Sequence, residues 1–313
     1  MEKNQKKAKL LTAGGIGLAV LVLIIILLLT RCGGFTSSVS PEELSRLLAD
    51  ESIQTIEING DVVLEGPVEV NGTKTIVGNG QILLNTALEG QWPEGDAPTW
   101  GMGCAAQNPA DGTAMPALLQ VNAGASLTLG GNVTVDARNN GNGINVADKG
   151  TLKISDKATV QNGRYANVVL ASKAEGLIEG GKLLDGGAYN VLNYGKLRLS
   201  GGVVSGAKAG SAVYNSGSFT QEGGEVSQAT FHNVYVAEGG SFTMTGGVND
   251  GAAKDGIMVA AGGNALDGVH LISPQGGCGQ GVDDSGQSHG DVHIVHDVLL
   301  TFRRAGSTRH IYG

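Results

Sequence analysis

The side chains able to do chemistry in this chain stand at intervals, not in clusters. Asp136, Gln161, Asp185, Ser205, Ser227 and Asn249 recur at steps of about 22 residues, each following a short apolar run. If successive repeats stack at the ~4.8 Å spacing of paired strands, Asp136 and Asp185 lie two coils, or ~10 Å, apart. A single Ca²⁺ held by oxygens at about 2.3–2.6 Å cannot bridge that distance. Arg138 and Arg164 fall on adjacent turns beside the same column. Asp136, Arg138, Arg164 and Asp185 are thus the candidate catalytic groups, and solvated turn residues are the reading preferred for all four. His289, His293 and His296 have a metal-ligand spacing that shares a face only on a helix. Their Val-His-Ile-Val setting reads as a strand, which sends His293 and His296 to opposite faces, so no metal site is assigned. Trp92 and Trp100 could stack on a sugar ring. Tyr214 and Tyr235 fall in one column on successive repeats, with Tyr165, Tyr189 and Phe231 at nearby turns. These four, Trp92, Trp100, Tyr214 and Tyr235, are the candidate ligand-binding residues, with plain packing as the alternative for each. No phosphate loop, nucleophile elbow or dinucleotide fingerprint is present.

The elements that must position these residues come from a repeat running from Asn142 to Asp250. It is clearest in NVLNYGKLRLSGGVV from Asn190, AVYNSGSFTQEGGEV from Ala212 and NVYVAEGGSFTMTGGV from Asn233, and looser in NVADKGTLKISDKATV from Asn145. One column reads Val146, Val168, Val191, Val213, Val234, preceded by Asn145, Asn167, Asn190, Ala212, Asn233. A second reads Leu127, Leu152, Leu197, Phe219, Phe242, and a third Leu183, Val204, Val226. Each repeat holds three short strands with period-two apolar alternation, separated by Gly, Asn and Ser turns. So short a unit cannot bury its own apolar face and must stack on its neighbours. Stacked three-strand coils form a parallel β-helix in which asparagine amides can hydrogen-bond along a column. A leucine-rich repeat would need a leucine-heavy signature that is missing.

The 313 residues make one large domain with accessory segments, and the 52 glycines fall at turns. Setting aside residues 1–32, which hold Lys3, Lys6, Lys7, Lys9, Arg31 and Glu2, leaves 16 basic and 28 acidic residues, a charge of about −12. That balance argues against nucleic acid and anionic lipid as partners, and disfavours acidic polysaccharide unless Ca²⁺ bridges the two. Cys32, Cys104 and Cys278 make no disulfide framework.

Residues 1–9 form a basic tail, and Leu10 to Thr30 is an uncharged run rich in Leu, Ile and Val. It is long enough to cross a bilayer, and the lysines before it orient the N-terminus towards the cytoplasm. An uncleaved signal anchor is favoured over a cleaved signal peptide, which has a shorter apolar core. Leu29-Thr30-Arg31-Cys32 resembles a lipoprotein box, but arginine stands where a small residue belongs. Residues 31–39 are a linker. Ser40-Pro41-Glu42-Glu43 is a capping box that starts a helix with Leu44, Leu47 and Leu48 on its apolar face, placed to plug the first coil. The β-helix runs over residues 40–264, interrupted by an insert at 86–117, and Leu118 to about Gly263 would make roughly nine turns. Residues 265–313 are one last coil, a cap or an irregular tail.

The leading helix, then IEINGDVVLEGPVEV and KTIVGNGQI, resembles the opening coils of the pectate-lyase-like β-helix superfamily. The NSGSFT…GG coils resemble the adhesive pectate-lyase-like domains of bacterial surface proteins. The likeness covers roughly residues 40–260 and implies fold more than activity. Lyases of that superfamily use clustered aspartates for Ca²⁺ with an arginine or lysine base, and its hydrolases use Asn-x-Asp, Asp-Asp, His-Gly and Arg-x-Lys motifs. Here Asp283-Asp284 and His289-Gly290 lie outside the repeats, and no Asn-x-Asp or Arg-x-Lys stands in the coils.

The fold class expected is all-β, a single-stranded right-handed parallel β-helix with a short N-terminal capping helix, preceded by one transmembrane helix. The function expected is a membrane-anchored, extracytoplasmic binding or adhesion module whose ligand is a glycan or a surface protein. A divergent polysaccharide lyase or hydrolase and a structural spacer are the alternatives. No cofactor is implied, and Ca²⁺ would enter only with lyase activity.

Overall fold

A computed structural model describes residues 39–88, 116–260 and 263–267, together with the strand segments 281–282, 288–289, 292–294, 299–304 and 307–312. Helix α1 (Pro41–Ala49) starts as its sequence dictates, with the Ser40 hydroxyl accepting from the Glu43 N–H at 3.2 Å and Pro41 at the first position. It buries Leu44 and Leu48 against the first coil, and the Asn71 N–H donates to the Leu48 carbonyl at 3.0 Å.

The coils then follow in chain order. The first is β1 (Thr55–Ile58), β2 (Asp61–Leu64) and β3 (Val68–Val70); the second is β4 (Thr73–Gly78), β5 (Gln81–Leu84) and β6 (Ala117–Val121). Next come β7 (Ser126–Leu129), β8 (Thr134–Asp136), β9 (Asn142–Val146), and β10 (Thr151–Ile154), β11 (Thr159–Gln161), β12 (Ala166–Leu170). In the following two coils the first two strands fuse, giving β13 (Glu175–Leu184) with β14 (Tyr189–Asn193), and β15 (Lys196–Ser205) with β16 (Val213–Asn215). Then come β17 (Ser218–Gln221), β18 (Glu225–Ser227), β19 (Val234–Val236), and β20 (Ser241–Met244), β21 (Val248–Asp250), β22 (Ile257–Val259). The chain is therefore a parallel β-solenoid of the right-handed type with about eight turns. Six complete coils lie between Leu118 and Gly263, not nine, because a repeat of about 22 residues admits no more.

The tail extends the solenoid. After β23 (Asn264–Asp267) and the short antiparallel pair β24 (Gly281–Val282) and β25 (Ser288–His289), β26 (Val292–Ile294) pairs in parallel with β22. Strand β27 (Leu299–Arg304) pairs in parallel with β23, and β28 (Ser307–Tyr312) closes antiparallel on β27. Leu10–Thr30, the insert with Trp92, Trp100 and Cys104, and also Cys32, Cys278, Asp283, Asp284 and His296 fall outside the described residues. Among the described residues no helix is long and apolar enough to cross a membrane.

Register confirms most of the columns and corrects their ends. Val168, Val191, Val213 and Val234 do stack, but Ile144 and not Val146 lies opposite Val168, and Val146 faces Leu170. A two-residue slip leaves the same face inward, so alternation alone cannot detect it. By the same shift Asn145 is level with Val169, outside the asparagine column. The second column continues through Gly176, between Leu152 and Leu197, where a Cβ would come within 2.7 Å of Leu170 Cδ1. The Gly-Gly pairs turn the chain against its neighbour: Gly202 has φ +90, and a Cβ there would lie 2.2 Å from the Gly181 carbonyl oxygen.

Polar groups hold the corners. Asn167 Nδ2 donates to Asn190 Oδ1 at 2.7 Å and to the Leu184 carbonyl at 2.7 Å, while Asn190 Nδ2 donates to the Ser205 carbonyl at 2.9 Å. Asn190 Oδ1 also accepts from the Gly186 N–H at 3.0 Å. Ala212 interrupts this ladder before Asn233, whose Nδ2 donates to the Asp250 carbonyl at 2.9 Å. A second ladder runs from Asn193 to Asn215 at 2.7 Å. At the bottom of the second column stands Lys74, level with Leu127 and fully buried. Its ammonium donates to the carbonyls of Ile53 (2.6 Å) and Asp50, closing the first coil beneath α1. Burial lowers its pKa, and the carboxylates of Asp50 and Glu51 oppose that shift.

Replacing Asn190 by Ala strands the Gly186 N–H and one Asn167 donor in a dry interior, while the Ser205 carbonyl keeps the Asp185 N–H at 3.0 Å. The cost of such unsatisfied groups is about 2–4 kcal/mol in total. It is expected as a lower urea midpoint, while an unchanged midpoint would mean that the ladder contributes nothing.

Candidate functional site

Four tyrosines form one continuous ladder on the outside of the sheet built from the third strand of each coil. Its outward register reads Val169, Leu192, Tyr214, Tyr235, Met258. Tyr189 opens β14, and Tyr165 precedes β12. Tyr165 meets Tyr189 edge to face at 5.4 Å, Tyr189 meets Tyr214 at 5.5 Å, and Tyr214 stacks on Tyr235 at 5.3 Å and 29°. With Val169 and Leu192 they make a second apolar cluster, separate from the interior of the coils. The ladder is graded. Tyr165 and Tyr189 are fully buried, Tyr214 is 9% exposed, and Tyr235 is half-buried. Of the two tyrosines singled out by the sequence, packing claims Tyr214, whereas Tyr235 is the rung that reaches the surface.

The surface around Tyr235 continues the aromatic strip. His232 lies 6.2 Å from Tyr235, ring to ring, and Phe231 lies 6.4 Å from His232. Half-buried Phe231 carries the exposed Lys254 ammonium 4.2 Å from its ring centre, a cation–π contact. Behind this surface His232 Nδ1 lies 2.9 Å from Asp255 Oδ2. Sequence reading noted Phe231 but missed Lys254, His232 and Asp255. The only signal for His232 and Asp255 was their common offset of two residues before the Val234/Ile257 register; Lys254 stands three before Ile257, as Phe231 stands three before Val234.

The acidic column does not assemble as expected. Its true members are Asp136, Gln161, Leu184, Ser205, Ser227 and Asp250. Asp185 is the exposed turn residue after Leu184, in the left-handed region at φ +56, and Asn249 points into the core. The corner from Ile178 to Lys182 is one residue shorter than the one it pairs with, from Ile154 to Thr159, so Leu184 and not Asp185 comes level with Gln161. At Asn249 the amide donates to Gln221 Oε1 at 3.0 Å, so the interior turns polar near its C-terminal end. The acidic groups left in the column, Asp136 and Asp250, stand at its opposite ends, farther apart than the sequence implied. Asp136 is engaged by the Arg138 N–H (2.8 Å), Gln161 Nε2 (2.9 Å) and Asn162 Nδ2 (3.1 Å). Arg138 and Arg164 are exposed on successive turns. Lys208 reaches across to Asn139 and Asn162 at 3.4 and 3.3 Å, tying three turns of this edge together. His289 lies in β25, and His293 in β26 is level with Met258.

The chain matches no protein family, no curated protein and no solved structure.

Burial, and secondarily its neighbour Tyr235, pushes the Tyr214 hydroxyl up to about 12. Burial also raises Tyr235. A raised tyrosine stabilises the fold fully below the ordinary value of about 10, and that contribution is lost as pH rises through 12. Ultraviolet titration should find a tyrosine ionising near 12 that disappears in Tyr214→Phe. Ionisation of every tyrosine near 10 in the folded protein would contradict the packed ladder.

Proposed function

We propose that this protein is a membrane-anchored surface module that binds a glycan or a surface protein through the side of its solenoid. The observation that carries this reading is the tyrosine ladder, which is rigidly packed at one end and surfaces at Tyr235 beside Phe231. Held rings present a flat apolar face without losing side-chain freedom on binding, which suits a pyranose ring or an apolar side chain. The anchor reading is supported by Leu10–Thr30 and the lysines ahead of it, which orient the solenoid to the extracytoplasmic side. Trp92 and Trp100 extend the list of binding candidates from the insert. The resemblance of the coils to adhesive, non-catalytic members of the pectate-lyase-like superfamily agrees with this role. Asp136 and Arg138 share one turn while Arg164 and Asp185 stand on the next two, a spread that gives no support to a lyase centre.

Glycan-array and cell-adhesion assays of the purified protein test the proposal. Wild type should bind at least one glycan or cell surface, and Tyr235→Ala should weaken that binding about tenfold or more while Tyr235→Phe retains it. Full binding by Tyr235→Ala would remove the strip from the account, and no binding to any glycan or surface would overturn the function.

A further inference from the structure

Two stretches of the chain carry an asparagine followed two places later by a hydroxyl: Asn71-Gly72-Thr73 and Asn132-Val133-Thr134. That spacing is the acceptor pattern for N-linked glycan in exported proteins. The pattern alone does not choose between them, but the structure does. Asn71 stands at the corner between β3 and β4, where Gly72 turns the chain at φ +63. The Asn71 N–H donates to the Leu48 carbonyl at 3.0 Å, and Asn71 Oδ1 accepts from Asn122 Nδ2 at 2.7 Å. The side chain is thus held through its oxygen. Its Nδ2 makes no hydrogen bond among the described residues and is not buried. Thr73 opens β4 exposed, with its hydroxyl unpartnered among the described residues. Glu69, two places before Asn71, is also exposed. At Asn132 the amide nitrogen is already engaged, donating to Asn79 Oδ1 at 2.6 Å. Thr134 is half-buried there, and Gly130 stands in the place of Glu69.

We propose that Asn71 is an N-glycosylation site, taking an oligosaccharide from a lipid diphosphate donor. The proposal rests on the extracytoplasmic placement of the solenoid, because lipid-linked oligosaccharide is transferred on that side of the membrane. Asn71 Nδ2 attacks the anomeric carbon of the donor. The bond from that carbon to the diphosphate oxygen breaks, and the lipid diphosphate leaves. One amide proton passes to a basic group of the transferase, and the other stays on the nitrogen. The Thr73 hydroxyl and the Glu69 carboxylate are the groups the transferase holds on either side of the acceptor. Transfer leaves Oδ1 in place, so the bond from Asn122 survives and the folded corner keeps its shape. Asn71 closes the first coil and Tyr235 lies in the seventh, six coils or ~29 Å along the solenoid. A glycan on Asn71 therefore leaves the aromatic strip open.

The test is expression of the full chain in a bacterial host supplied with an oligosaccharyltransferase and its lipid-linked oligosaccharide, read by intact and peptide mass. A second acceptor sequence appended after Gly313 reports whether the solenoid reaches the extracytoplasmic side. One glycan is expected on Asn71 and none on Asn132. Asn71→Gln and Thr73→Val should each lose the glycan, while Thr73→Ser keeps it. Glycan on the appended sequence but not on Asn71, or equal occupancy of Asn71 and Asn132, would overturn the proposal. Glycan on neither Asn71 nor the appended sequence would overturn the extracytoplasmic reading, and the proposal with it.

Discussion

Everything in this protein depends on in-register parallel pairing, which places each residue against the one about a coil away in both directions. A side chain's surroundings are therefore set less by its sequence neighbours than by its column. Phe219 lies 4.9 Å from Phe242, ring to ring, because the pairing puts them there, and the valine column follows the same rule. Columns pack like on like, so an apolar column excludes water along its whole length, and a polar one must pair its own groups. The asparagine ladders meet that demand by passing hydrogen bonds from one turn to the next. Where the rule is broken, special arrangements appear: Lys74 is satisfied by two backbone carbonyls, and Asn249 leans on Gln221.

The same constraint builds the surface. A coil's outer positions are as strictly aligned as its inner ones, so a tyrosine repeated on successive coils becomes a ladder. Burial grades along that ladder because the inner rungs are covered by Val169, Leu192 and one another. Phe231, Lys254, His232 and Asp255 gather at its open end because short turns return to the same place in every coil. The turns and edges of such a fold display their residues at the fixed spacing of the coils.

Much of this was legible in the sequence. The 22-residue period, the Gly-Gly turns and the valine column specify stacked short strands, and Ser40-Pro41 specifies where α1 begins. The legible part is what repeats. The two-residue slip at Val146 was hidden because period-two alternation is blind to it. Asp185 was placed wrongly because strand fusion in β13 changes the residue count between corners. Lys74 reads as a surface residue until the first coil is seen to need two carbonyls satisfied beneath the helix. His232 and Asp255 are unlike in type, so no repeat signal joins them. Only the register of their neighbours does.

The account makes this solenoid a binding surface whose scattered turn residues do not depolymerise polysaccharide. The most direct test is release of reducing ends and unsaturated products from a panel of pectin, alginate and glycosaminoglycans, with Ca²⁺ and with chelator. No turnover is predicted on any of them under either condition. Chelator-sensitive product release that vanishes in Asp136→Ala or Arg138→Ala would contradict the account and make that turn an active site.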